Sequence, residues 1–241
     1  MPDTRITKQK FKDHMEYSKK SYIFGILAII AVASLLFTVT APAIPNEKAV
    51  EVALCDAYVA PDKITEEDIA VLLQATQEYD EECEKVAFMS LAYAGDGTTE
   101  DGYYGAQVYM VQTTAGDNDL YFQNETMRDT FVKNGYALPL EELSFFDIFT
   151  EEHPEIAQYW AVEPPKHDGT EDEDEEEEAE ISENAKQHCY ALDISAMTGL
   201  INRGCYDVRG KWASVIITSK NPDTALYSLY EMYKLFGAGE Q

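Results

Sequence analysis

Short apolar stretches alternate with longer amphipathic ones along residues 49–236. Residues 49–59, 85–93, 120–122, 187–193 and 212–218 are apolar or β-branched, a pattern typical of buried strands. Residues 65–76, 103–114, 124–135 and 221–236 repeat apolar side chains at helical spacing, and the second of these helices carries Tyr104, Val108 and Val111 on one face. The alternation predicts an α/β fold with a doubly wound, mostly parallel sheet.

The most apolar stretch precedes this pattern. Residues 21–46 are 26 consecutive residues without a charge. About 20 apolar residues suffice to cross a bilayer as a helix, which satisfies the backbone where lipid cannot. We therefore predict a single transmembrane helix at 21–44. One alternative is a buried core helix, and another is a signal peptide cleaved near the small residues at 41–43.

Charge predicts the orientation of this helix. The first 20 residues carry six cations and three acids. Cations that flank a membrane segment stay in the cytoplasm, so residues 1–20 are predicted to form a basic cytoplasmic tail. The α/β domain, residues 47–163 and 184–237, is then extracellular, and the protein is a single-pass protein of the cell membrane.

An acidic segment interrupts the domain at residues 164–183. From 168 to 183, 11 of 16 residues are acidic, and repulsion at that density favours a solvated, disordered loop. The functional alternative is a weak calcium site or a tether for a cationic partner. The whole chain has a net charge of -27, which argues against nucleic acid as a partner because phosphate contacts need clustered cations.

All four cysteines follow the predicted membrane helix, on a side where disulfides can form. Four cysteines allow three sets of pairs, and we take Cys189 with Cys205 as the candidate disulfide. The alternative is that both are small buried hydrophobic residues. No zinc-type spacing of cysteine and histidine occurs, so we predict no metal site.

Two stretches resemble segments of bacterial extracellular solute-binding proteins, the receptors of ABC importers. Residues 119–142 are similar to that family's strand, short helix, glycine and Leu-Pro-Leu-acid, and residues 217–226 to its strand followed by a Lys-Asn-Pro helix start. Such receptors hold a ligand between two lobes, whereas only about 195 residues follow the predicted membrane helix here. The resemblance therefore implies a one-lobe, membrane-anchored relative, and it carries over no ligand residue.

Candidate binding residues follow from the predicted sheet. Ligands of open α/β sheets bind beyond the carboxyl ends of the strands, where the strand order reverses. Tyrosines, acids and amides that follow the first three strands would suit a sugar or a cationic ligand. The alternative is an ordinary surface loop with solvated acids. The candidates are Asp56, Tyr58, Tyr93, Asp96, Asp101, Tyr103, Tyr104, Gln123 and Asn124.

No catalytic pattern accompanies these residues. The patterns GxGxxG, GxSxG and HExxH are absent, so we predict no enzyme, no catalytic residue and no cofactor. We predict a bacterial, membrane-anchored binding or assembly module that recognises a protein partner or a small solute without covalent chemistry. The alternative is the receptor component of an ABC-type importer, and an extracytoplasmic enzyme is a third hypothesis.

Overall fold

The computed structural model describes residues 23–30, 32, 34, 44–95, 100–116, 118–162 and 186–237, except for the side chains of Glu100 and Asp101. The chain divides into two compact units, residues 1–43 and 44–241. In the first unit, residues 23–30, 32 and 34 are helical and exposed. None of the described helices is both long enough and apolar enough to span a membrane. The predicted tail at 1–20 and acidic loop at 164–183 lie outside the described residues.

The second unit contains six strands and six α-helices in the described residues. The strands are β1 (Ala49–Cys55), β2 (Lys85–Leu91), β3 (Leu120–Asn124), β4 (Gln158–Val162), β5 (Gln187–Asp193) and β6 (Lys211–Val215). The helices are α1 (Glu66–Tyr79), α2 (Glu100–Ala115), α3 (Glu125–Lys133), α4 (Phe146–Glu152), α5 (Thr198–Asn202) and α6 (Pro222–Phe236). The sequence pattern predicts these elements except β4, α4 and α5. The α/β fold is therefore confirmed.

The six strands form one mixed sheet in the order β2-β1-β3-β6-β5-β4. β1 lies between β2 and β3 and is parallel to both. β6 is antiparallel to β3, and β5 is antiparallel to both β6 and β4. The sheet is thus parallel in one half and antiparallel in the other, which corrects the expectation of a mostly parallel sheet.

The connection between β5 and β6, residues 194–210, contains only a short helix. A parallel pair needs a crossover that runs back along the sheet, usually a helix. The helix available here, α5, has 5 residues and is about 8 Å long, at roughly 1.5 Å per residue. β5 has 7 residues and extends over about 23 Å, at roughly 3.3 Å per residue. α5 alone does not span the length of β5, and β6 runs antiparallel to β5.

Helices cover both faces of the sheet, as the doubly wound prediction requires. One face packs against α1, α4, α5 and α6 in a core that includes Leu72, Phe149 and Leu226. The other face packs against α2 and α3, through Tyr109 and Phe131. α6 is buried on nearly all sides, which confirms that its apolar residues belong to the core.

Helix caps occur where the sequence places them. Thr65 forms a capping box with Asp68 at the start of α1. Asn124 caps α3 by accepting a hydrogen bond from the Met127 N–H. After α3, Gly135 has φ +70°, a left-handed conformation that favours glycine. These local signals fix where the helices begin and end.

Candidate functional site

The strand order reverses between β1 and β3. From β1 the chain passes through α1 to β2 on one side, and from β2 it returns through α2, on the opposite face, to β3 on the other side of β1. In open α/β sheets such a point forms a crevice at the carboxyl ends of the strands, where ligands bind. The candidates Asp56 and Asn124 lie at this end, after β1 and at the end of β3.

Tyr206 closes the crevice. Its hydroxyl lies 3.0 Å from the carbonyl oxygen of Cys55 at the end of β1, and 2.9 Å from that of Phe122 in β3. The hydroxyl has one proton, which the two carbonyl oxygens share as acceptors. The side chain is 2% exposed, and burial raises the pKa of Tyr206 well above its usual value. A residue of the chain itself therefore occupies the place where a ligand of this fold class would bind.

Lys211 neutralises the first of the candidate acids. Its Nζ lies 2.6 Å from Oδ2 of Asp56, and its side chain is 8% exposed against 25% for Asp56. The other carboxylate oxygen of Asp56 accepts the N–H of Ala57 at 2.6 Å. The ammonium group also lies 5.6 Å from the centre of the Tyr206 ring. Asp56 is thus engaged in an internal ion pair.

An open depression of about 370 Å³ lies outside the closed crevice. Tyr58 is 83% exposed at its wall. Hydrogen bonds from Arg209 lower the pKa of Asp207 to about 2, so this carboxylate is ionised at neutral pH. Burial raises the pKa of the Cys205 thiol to about 11, which keeps it protonated and a poor nucleophile. The lining residues are Asp56, Ala57, Tyr58, Ile201, Gly204, Cys205, Tyr206 and Asp207.

The two candidate amides point into the protein. Gln123 is fully buried and bonds to the hydroxyl of Tyr109 at 3.3 Å and that of Ser214 at 3.4 Å. Asn124 caps α3 and donates to the carbonyl of Ala94 at 2.7 Å. Both side chains therefore serve internal hydrogen bonds at the carboxyl end of β3.

The candidate tyrosines fall into two groups. Tyr93 packs on Tyr109, with ring centres 5.5 Å apart. Tyr103 and Tyr104 are more than half exposed and meet edge to face at 6.0 Å. Asp96 and the side chain of Asp101 lie outside the described residues. The structure therefore places Asp56 and Tyr58 at the depression, and Tyr103 and Tyr104 on the exposed side of α2.

The outward side of α2 carries large apolar side chains, with the exposed polar residues Gln107 and Thr114 between them. Five of its large side chains are between 49% and 67% exposed, and residues 102–116 contain no charged residue. We call these five side chains the α2 face. The helical spacing predicts three of them, Tyr104, Val108 and Val111, on one side of a helix, and this side faces solvent. The α2 face consists of Tyr103, Tyr104, Val108, Met110 and Val111.

All four cysteines are buried free thiols. Cys189 and Cys205 belong to the same core cluster and are not joined. Both cysteines are therefore small buried hydrophobic residues, as in the alternative given above, and they do not form the candidate disulfide. Within the described ranges, no group of three or more His, Cys, Asp or Glu side chains could hold a metal ion.

Tyr206 and Lys211 were missed by the pattern analysis. Lys211 pairs with Asn124 in the antiparallel register of β3 and β6, and this register brings it to the carboxyl end of β3. A parallel β6 would not place its first residue there. No local signal in the sequence marks either residue, because their positions depend on the direction of β6.

Comparison with known proteins adds no relative: no protein-family model, no curated protein and no solved structure matches this chain.

Proposed function

We propose that this chain is a membrane-anchored, extracytoplasmic module that binds a protein partner through non-covalent contacts. The observation that carries the proposal is the α2 face, a run of exposed apolar and aromatic side chains. Large apolar side chains exposed together on a domain surface are typical of interaction sites. Tyrosine and methionine are also enriched in protein interfaces.

The closed crevice supports recognition by an outer surface. Tyr206 is hydrogen-bonded to the two strands that flank the crevice, and Lys211 is paired with Asp56. A ligand entering there would have to displace a buried hydroxyl and break a buried ion pair, and both steps cost free energy. Binding at an exposed helix needs neither step.

The anchor is inferred from the sequence. The 26 uncharged residues at 21–46 and the basic residues before them are the pattern of a membrane helix with a cytoplasmic N-terminus. Carbonate extraction of membranes and protease treatment of intact cells test this part. We expect the chain to stay in the membrane pellet, and the domain to be cleaved from outside. Intact chain in the soluble cytosolic fraction would contradict it.

Site-specific photo-crosslinking tests the binding site. A photoreactive phenylalanine analogue at Val111, in the α2 face, is compared with the same analogue at Val71, which is 48% exposed on α1. In native membranes we expect a protein adduct of defined mass from position 111 and none from position 71. Equal adducts from both positions, or none from either, would remove the support for a partner at α2.

The alternative function is the receptor component of an importer, as the resemblance to solute-binding proteins implies. The depression beside Tyr58 favours it, because about 370 Å³ lies within the usual size of a small-molecule site. A bound solute at 100 times its Kd would stabilise the fold by about 2.7 kcal/mol. A thermal-shift screen of sugars, amines and peptides measures this gain, and the gain should disappear in Tyr58→Ala. A screen without any shift would count against the receptor.

A further inference from the structure

We propose that the α2 face is the surface through which two copies of this chain associate, with α2 packed against α2 about a two-fold axis. The inference rests on the proposed function, and it deepens that function by naming the partner as a second copy of the chain.

The inner side of α2 is firmly packed and holds the α2 face in place. Tyr109 and Thr113 are 8% and 1% exposed, and the Tyr109 ring meets that of Tyr121 in β3 with centres 6.0 Å apart. At Gly105, a Cβ atom would lie 2.5 Å from the carbonyl oxygen of Ala92, so the helix approaches the end of β2 closely. Val111, at 67% exposure, lies on the opposite side of the helix from Tyr109 and Thr113.

Charge limits where a second copy can contact this chain. With a net charge of -27, two copies repel wherever their acidic residues face each other. A two-fold contact places the same residues of both copies opposite one another. Residues 102–116 carry no charge, so a contact between two α2 faces opposes no like charges there.

The same observation disfavours the other occupants. Interfaces between different proteins usually gain specificity from complementary charges, and α2 offers none along residues 102–116. Helices that lie on a lipid surface carry Lys or Arg on their polar side. α2 contains neither Lys nor Arg. A contact between the neutral α2 faces of two copies is therefore the arrangement that agrees with these observations.

The size of the α2 face predicts a weak dimer. A buried aromatic side chain contributes about 150–250 Å², so Tyr103 and Tyr104, which are 57% and 58% exposed, offer roughly 200 Å² per copy. Even with the smaller Val108, Met110 and Val111, the α2 face stays below the roughly 800 Å² per partner of a standard stable interface. We therefore expect a Kd in the micromolar range for the purified chain. If the chains are anchored in one membrane, the effective concentration rises and dimers become the main species.

Engineered cysteines test the contact in the full-length chain. The native thiols are all buried, so a cysteine at position 111 or 71 is an exposed one. Val111→Cys and Val71→Cys chains are oxidised with copper phenanthroline in the same detergent. We expect a disulfide-linked dimer from V111C at several-fold higher yield than from V71C. Equal yields from the two variants would overturn the proposal.

Charge substitutions provide the second test. Val111→Glu places two carboxylates opposite each other in the dimer, and we expect it to raise the Kd at least about tenfold. Val71→Glu adds the same charge to α1 and should leave the Kd unchanged. Sedimentation velocity measures both, and thermal unfolding verifies that both variants fold. Equal Kd values for V111E and V71E would overturn self-association.

The outcomes separate this inference from the proposed function. A monomeric chain whose photo-crosslinker at position 111 captures a different protein overturns self-association and leaves the proposed function standing. A monomer that floats with anionic lipid vesicles, and loses this binding in V111E, overturns both in favour of a membrane surface. Dimerisation that V111E weakens and V71E does not supports both.

Discussion

The hydroxyl of Tyr206 lies 2.9 Å from the carbonyl oxygen of Phe122, 84 residues earlier in the chain. The same hydroxyl lies 3.0 Å from the carbonyl oxygen of Cys55. This side chain connects the loop before β6 to both parallel strands at the point where the strand order reverses. The crevice at the sheet end is therefore filled from within.

Removing the Tyr206 hydroxyl should destabilise the fold. Tyr206→Phe keeps the ring in the core but leaves the two carbonyl groups without this donor. We expect a loss of about 1–3 kcal/mol in the free energy of unfolding. Urea unfolding measures it. Tyr58→Phe is the control, because Tyr58 is 83% exposed and should change stability little. If both variants unfolded like the parent chain, the hydroxyl would not hold the crevice closed.

The ion pair beside it predicts a second effect. Asp56→Asn leaves the ammonium of Lys211, whose side chain is 8% exposed, without its counter-charge. We expect a loss of about 2 kcal/mol, and a smaller loss in the double variant D56N/K211M, which removes both charges. Asp207→Asn breaks the exposed pair with Arg209 and should cost less than about 1 kcal/mol. A D56N chain that unfolds like D207N would show that the buried pair has no structural role.

Asp119 should make stability depend on pH. Burial raises the pKa of this carboxylate to about 6, although hydrogen bonds from the Glu51 N–H and the Ser219 hydroxyl lower it. Between about pH 4 and pH 6 the folded state therefore binds more protons at this site than the unfolded chain. By linkage, the contribution of Asp119 to stability falls as the pH rises through this window and is constant above it.

The variant Asp119→Asn isolates this contribution. Asparagine stays neutral and keeps an acceptor for the Glu51 N–H. The difference in unfolding free energy between D119N and the parent chain should change by up to about 3 kcal/mol from pH 4 to pH 7, in favour of D119N. Urea unfolding at several pH values measures the difference. Asp147→Asn removes an exposed acid on α4 and controls for the loss of one surface charge. A constant difference for D119N would show that Asp119 does not titrate there.

The stacking of the Arg128 guanidinium predicts that substitution by lysine lowers the stability of the fold. It lies 3.7 Å from the ring centre of Tyr159 and 4.5 Å from that of Trp212, and Arg128 is 3% exposed. Lysine keeps the charge but cannot stack in this way, so Arg128→Lys should cost about 1–2 kcal/mol. Arg209→Lys alters a side chain that is 78% exposed and should be neutral. Chemical unfolding followed by tryptophan fluorescence compares the two, and an R128K chain as stable as R209K would contradict the role of stacking.

The candidate site could be predicted only in part. Asp56 and Tyr58 line the depression after β1, where they follow a strong strand, whereas Tyr103 and Tyr104 lie on the exposed side of α2 and do not line it. Gln123 also lies at the carboxyl end of a strand, yet its side chain is turned inward to Tyr109 and Ser214. Helices from elsewhere in the chain cover β3 on both faces, so its own sequence does not indicate that Gln123 is buried.

The sequence by itself determined the local elements of this protein. Apolar spacing located α1, α2, α3 and α6, and Thr65, Asn124 and Gly135 marked helix ends, because caps and left-handed turns depend on a few neighbouring residues. Only the tertiary structure decided the direction of β6, and with it the closure of the crevice by Tyr206 and Lys211. Strand direction depends on the connection that leads into a strand and on pairing with residues far away in the chain, and neither leaves a local periodic signal.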